Sequence, residues 1–168
     1  MKTFIKKWLI KRWLDKYGIK NYTINSKGEI DVDGDVDLSE KGLTKFPSFI
    51  QFRRVKGNFL CDLNRLTTLK GAPIEVGKVF DCSYNMLTSL EGASLKVNYF
   101  DCNSNKLTSL EGSPKEVEGN FYCYNNNLRD LKGAPETVGG DFACFENKIQ
   151  FIEEDVRKVC KVRYSIYV

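Results

Sequence analysis

Val97-Asn98-Tyr99-Phe100-Asp101-Cys102-Asn103-Ser104-Asn105-Lys106-Leu107-Thr108-Ser109-Leu110 carries the pattern on which the chain is built. Its skeleton, F-x-C-x-x-N-x-[LI], starts at Phe59, Phe80, Phe100, Phe121 and Phe142, at intervals of 21, 20, 21 and 21 residues. Cys61, Cys82, Cys102, Cys123 and Cys144 keep that step, and so do Asn64, Asn85, Asn105, Asn126 and Asn147. A fixed period of this length marks a solenoid, whose units bury their apolar faces by stacking on one another.

The positions within a unit have distinct physical duties. Phe100 and Cys102 are two residues apart and point to one face of a short strand. Leu107, Leu110 and Val117 complete one cross-section of the core. Asn105 turns the chain, and its amide is suited to satisfying backbone groups that neighbouring coils expose inside the stack. Gly71, Gly92, Gly112 and Gly133, followed by Ala or Ser and mostly by Pro, predict a tight turn in the join between units. In the join that contains Ser94, where the others have Pro, Val97 lies three residues before Phe100 instead of the four that separate Val76 from Phe80.

Outward from the array, the first unit is imperfect: Val36, Leu38, Leu43 and Phe46 fit, but Lys41 stands where the asparagine belongs. Before it, Lys2 to Tyr17 reads as a helix with Thr3 as N-cap, Gly18 as its stop, and an apolar stripe of Ile5, Leu9, Trp13 and Tyr17 flanked by Ile10 and Leu14. Tyr22–Ile24 and Glu29–Val32 around Asn25-Ser26-Lys27-Gly28 read as a hairpin. After Ile149 the pattern dissolves into a short helix, Glu153 to Cys160, and a closing strand, Val162 to Val168.

The core L-x-x-L-x-L-x-x-N-x-L, with Phe and Cys in place of two leucines, resembles the leucine-rich repeat family over residues 36–152. The short period and the tail L-T-S-L-E-G-[AS] are most similar to compact repeats of bacterial and bacteriophage proteins. The resemblance implies an α/β repeat solenoid, an arc with a parallel sheet on its concave face. Residues 1–35 form a helix-plus-hairpin cap in this reading, 36–152 hold one atypical and five regular units, and 153–168 form a helix/strand cap.

Chemistry is scarce. There is no histidine, which removes the commonest general acid/base, the Ser-His and Cys-His dyads and histidine metal sites. No phosphate-binding or dinucleotide fingerprint occurs. Five thiols in a line do not converge on a metal, and thiols stacked in one orientation cannot readily adopt disulfide torsions. The alternating Asp31, Asp33, Asp35 and Asp37 lack the glycine and glutamate spacing of a calcium loop and read as the wet face of strands. No enzymatic activity, cofactor or metal is therefore expected. A buried thiol column favours a reducing, cytoplasmic setting, and no apolar run is long enough for a signal peptide or a bilayer span.

Function then falls to the positions between the scaffold residues. The positions before, between and after Phe and Cys, and the next one, vary freely from unit to unit. They gather Tyr84, Tyr99, Tyr122, Tyr124 and Phe145 with Asp81, Asp101, Asn103, Asp141 and Glu146. Large aromatic side chains with no core to fill, ringed by acids, have the composition of a protein-binding centre with a charged rim. The acids argue against nucleic acid on that face. The net charge of +4 resides in residues 1–20, which alone carry +6. An alternative is therefore association of the basic helix, through Lys6, Lys7, Lys11 and Arg12, with nucleic acid or an anionic membrane. A third reading is a structural or adhesive virion component.

Overall fold

The computed structural model describes residues 2–168, with side chains from Phe4 onward; the Thr3 cap lies outside the described side chains, and helix α1 runs Lys2–Lys16. The chain from Tyr22 winds into a parallel β-solenoid. Its repeated phenylalanines form one sheet of seven strands: Val36–Asp37 (β3), Phe59–Leu60 (β5), Val79–Asp81 (β7), Tyr99–Asp101 (β9), Phe121–Tyr122 (β11), Phe142–Ala143 (β13) and Ile166–Tyr167 (β15). Register is kept throughout, with Phe59, Phe80, Phe100, Phe121 and Phe142 in one column.

A second sheet, unannounced by the repeat pattern, lines the opposite side of each coil. It contains a hairpin of Tyr22–Ile24 (β1) and Ile30–Val32 (β2), then Phe52–Val55 (β4), Glu75–Val76 (β6), Lys96–Val97 (β8), Glu116–Val117 (β10), Thr137–Val138 (β12) and Lys161–Val162 (β14). The parallel-sheet solenoid is thus as expected, while its α/β composition is corrected. The solenoid is mostly β, and helices occur only at its ends, as α1 and Glu153–Val159 (α2). Joins of this length have room for a two-residue strand but not for a helix, whose first hydrogen-bonded turn alone fixes several residues.

Between the sheets lies a continuous core. Phe59, Phe80, Phe100, Phe121 and Phe142 are fully buried, with successive ring centroids 5.2, 5.3, 5.8 and 5.2 Å apart. Facing them are Val55, Val76, Val97, Val117 and Val138, all at most 2% exposed. The five ladder cysteines are buried and free, as is Cys160. Three of them donate to a carbonyl of the next coil: Cys82 Sγ to Asp101 O, Cys102 Sγ to Tyr122 O and Cys123 Sγ to Ala143 O, at 3.2–3.4 Å.

Each asparagine of the repeat staples its coil to the one before. Asn105 Nδ2 donates to Cys102 O and Asn103 O within its own coil and to Cys82 O of the preceding one, while its Oδ1 accepts from Leu87 N at 2.9 Å. The first unit lacks this asparagine, and Asn64 Oδ1 accepts from both Lys41 N and Leu43 N there. The residue before each asparagine is left-handed whatever its identity: Leu63, Tyr84, Ser104, Asn125 and Glu146 have φ of 52, 51, 52, 51 and 53°. Gly112 (φ 91°) turns against the preceding coil so closely that a Cβ would sit 2.6 Å from Leu90 C. Ser94, which breaks the proline pattern, is buried and donates its hydroxyl to Pro73 O at 2.7 Å, so it ties the shorter join to its neighbour.

The ends differ in detail from expectation. In α1 the buried residues are Ile10, Trp13 and Leu14; Leu9 and Tyr17 are half-buried, and Ile5 is 52% exposed. The packed face is thus the Ile10 and Leu14 flank of the stripe rather than its Ile5 end, because Trp13 packs edge-on against Tyr17 and Phe52 and fixes the helix azimuth. Gly18 (φ 66°) ends the helix, with Ile19 N donating to Leu14 O. At the other end, Val162–Val168 is not one strand but two: β14 and β15 bend apart and extend one sheet each. Among the described residues no helix is long and apolar enough to cross a membrane.

Candidate functional site

The outer face of the seven-stranded sheet is where the sequence placed the binding residues. Alternation along β9 turns Phe100 inward and leaves Tyr99 and Asp101 outward. Pairing in register then stacks Tyr99 beside Val79, and Asp101 between Asp81 and Tyr122. Because the period is kept, residues far apart in sequence become neighbours on this face.

Four of the predicted aromatics form one unbroken run. Tyr99 meets Tyr122 edge-on at 5.2 Å, Tyr122 lies 6.2 Å from Tyr124, and Tyr124 stacks on Phe145 at 4.5 Å with planes 7° apart. All four are half-buried, supported from the side by one another and open above. Tyr84 stands apart in a left-handed turn, 54% exposed, and Glu146 occupies the corresponding turn three coils on, also exposed.

The polar residues divide into engaged and free. Asp141 Oδ1 accepts from Ser165 N and Asp141 N donates to Asn120 Oδ1, so this carboxylate serves the stacking of coils. Asp81 Oδ1 accepts from Ser83 N at 2.9 Å. Asp101 Oδ1 accepts from Asn103 N at 3.0 Å and Asn103 Nδ2 at 2.6 Å, and the Tyr99 hydroxyl approaches Asp101 Oδ2 at 3.4 Å. Asp101 and Asn103 are only 7% and 3% exposed, so they lie at the floor of the patch rather than on its surface. Burial first, then Asp81, pushes the Asp101 carboxyl up to about 6 against the opposing hydrogen bonds from Asn103. Burial also raises Asp81. The Tyr99 phenol is driven well above its ordinary range by burial and then by Asp101.

No family model, curated protein or solved structure matches this chain. The geometry of its own residues must therefore carry the functional reading.

One feature of the face escaped the sequence reading. The outward columns also contain Asp35, Asp37, Glu40 and Asp62 from the first coils, yet among the described residues they contain no Lys or Arg. The signal was present as a missing residue class in columns that only the register defines. The Asp31–Asp37 run is likewise dispersed: Asp31 pairs with Arg53, Asp33 with Lys56 at 2.9 Å, Asp35 Oδ1 accepts from Asn58 N, and Asp37 Oδ1 from Ser39 N. Among the described residues no group of three or more His, Cys, Asp or Glu is placed to hold a metal ion.

The basic helix is split by its packing. Lys6 and Lys7 bend onto the hairpin and donate to Lys27 O at 3.1 Å and Ile24 O at 3.4 Å, whereas Lys11 and Arg12 are exposed. Trp13 is packed on Phe52, but Trp8 is 51% exposed and carries Arg12 over its ring.

Proposed function

We propose that this chain is a non-enzymatic, cytoplasmic protein-binding module of leucine-rich-repeat type that engages a partner protein through the outer face of its seven-stranded sheet. The carrying observation is the run Tyr99–Tyr122–Tyr124–Phe145, four supported aromatic rings on a face whose charged residues are acids. Rigid aromatic rings supply contact area at small entropic cost and dominate binding centres. The likeness of the repeat to compact bacterial and phage repeats supports a role in modulating a host factor, such as a defence component. Replacing Tyr122 and Tyr124 together by Ala should abolish capture of the partner from extracts of the source cells and leave the melting temperature nearly unchanged. Unchanged capture would remove this face from the reading.

A second reading has its own observation. Phe4, Ile5 and Trp8 are 79, 52 and 51% exposed on a helix that also displays Lys11 and Arg12. Apolar rings beside bases suit the interface of an anionic bilayer. Sedimentation with vesicles containing phosphatidylserine, lost on Trp8→Ala or in high salt, would support it; equal sedimentation with neutral vesicles would count against it.

A further inference from the structure

Two carboxylates in register on adjacent strands, about 4.8 Å apart with no base between them, form an unfavourable arrangement. The rest of the molecule avoids it. On the eight-stranded sheet the corresponding outward column runs Asp31, Arg54, Glu75, Lys96, Glu116, so that every rung faces the opposite sign. On the seven-stranded sheet Asp81 instead lies directly opposite Asp101. Among the described residues neither has an ion-pair partner, although Asp31, Asp33 and Glu75 on the other side all do.

The cluster is also rich in acceptors and poor in donors. Asp81 has hydrogen-bond donors only from Ser83, and Asp101 Oδ2 has only the long approach of the Tyr99 hydroxyl at 3.4 Å among the described residues. Asn103, whose amide nitrogen lies against Asp101, is 3% exposed and keeps a buried Oδ1 with no partner. The walls are the rings of Tyr99 and Tyr122. What this arrangement lacks is a planar cation with several donors.

We propose that this cluster is an arginine-recognition site, in which a guanidinium of the partner protein stacks on one of the two mutually perpendicular rings of Tyr99 and Tyr122, meets the edge of the other, and donates to the carboxylates of Asp81 and Asp101. Arginine fits better than lysine because its flat, weakly hydrated head stacks on rings and offers donors in a fork that matches carboxylate oxygens. An ammonium would find the charge but not the stacking surface. The upward-shifted Asp101 carboxyl agrees with a site completed by an incoming cation. This inference rests on the reading that the face takes a protein partner and specifies the chemistry of that partner's contact.

The test is calorimetric titration of the full chain at pH 7.5 with three peptides of alternating Gly and Arg, Gly and Lys, or Gly and citrulline. The arginine peptide should bind, the lysine peptide at least fivefold more weakly, and the neutral citrulline peptide not measurably. Asp81→Asn and Asp101→Asn should each cost the arginine peptide at least tenfold in affinity, and Asp33→Asn, in the bend just after β2, should cost nothing. Thermal melts of every variant establish that the fold is intact, and Asp81→Asn serves if Asp101→Asn does not fold. No binding by the arginine peptide, equal binding of the arginine and lysine peptides, or indifference to both aspartate substitutions would overturn the proposal. Partner capture that needs Tyr122 and Tyr124 but tolerates both Asn variants would retain the binding face and discard the arginine site. Arginine binding together with capture indifferent to the tyrosines would do the reverse.

Discussion

Asp101→Asn should stabilise the protein at neutral pH. Asp101 is 7% exposed, faces Asp81 in the neighbouring strand, and has no ion-pair partner among the described residues. Burial and that neighbour raise its carboxyl from 3.8 to about 6. The folded chain therefore holds the proton more tightly than the unfolded one, and stability is lost as pH rises from about 4 to about 6. Two pH units at about 1.4 kcal/mol each put roughly 3 kcal/mol of destabilisation in the ionised form at pH 7.5, about two-thirds of it appearing above pH 4.5. Asparagine keeps an oxygen to accept from Asn103 N, so the local turn survives while the charge is removed. Urea denaturation of both proteins at pH 4.5 and 7.5 reads the difference directly. The stability gap in favour of the variant should widen by about 2 kcal/mol between the two pH values. A gap that does not change with pH, or a variant less stable at pH 7.5, would refute the reasoning. The same substitution should weaken the proposed arginine contact, the trade expected where a strained group is kept for function.

Asn105→Ala removes the acceptor that the buried Leu87 N–H has among the described residues together with three donations to carbonyls, and should cost about 2–4 kcal/mol in urea denaturation. Cys82 O and Cys102 O retain donors from Asn85 and Asn126, so a larger loss would show that the ladder fails cooperatively. Leu63→Gly should stabilise by about 0.5–1 kcal/mol, because Leu63 is left-handed at φ 52° and half-exposed, and glycine adopts that conformation without its Cβ clash. Loss of stability in a thermal melt would instead assign Leu63 a packing role. Burial pushes the thiols of the ladder upward, Cys144 to about 12, and Cys160 to about 11. All six should be inert to an aromatic disulfide reagent at pH 8 until denaturant is added, and rapid reaction of any one in native buffer would contradict its burial.

The legible part of the fold was the part that repeats with large side chains. Phe100, Cys102, Asn105, Leu107 and Leu110 announce one wall of the core because their identity is nearly invariant from unit to unit and alternation is unambiguous over three residues. The helix azimuth was legible in part, since Ile10, Trp13 and Leu14 fall on or beside the apolar stripe, but Ile5 and Ile10 are equally apolar and only the position of Phe52 against Trp13 selects between them. The second sheet was missed because strands as short as Glu75–Val76 and Glu116–Val117 contain one inward residue each and so carry no periodicity of their own. In the candidate site, the composition of the face was readable but its depth was not.

The chain's sequence alone determined that it stacks, with what step, and which columns are apolar, because stacking is set by side chains that recur at a fixed interval. Only the tertiary structure decided which charges meet. Register across neighbouring coils puts Arg54 beside Glu75 on one sheet and Asp81 beside Asp101 on the other. Electrostatic cost depends on distance and burial, and neither exists until the coils are laid one upon the next.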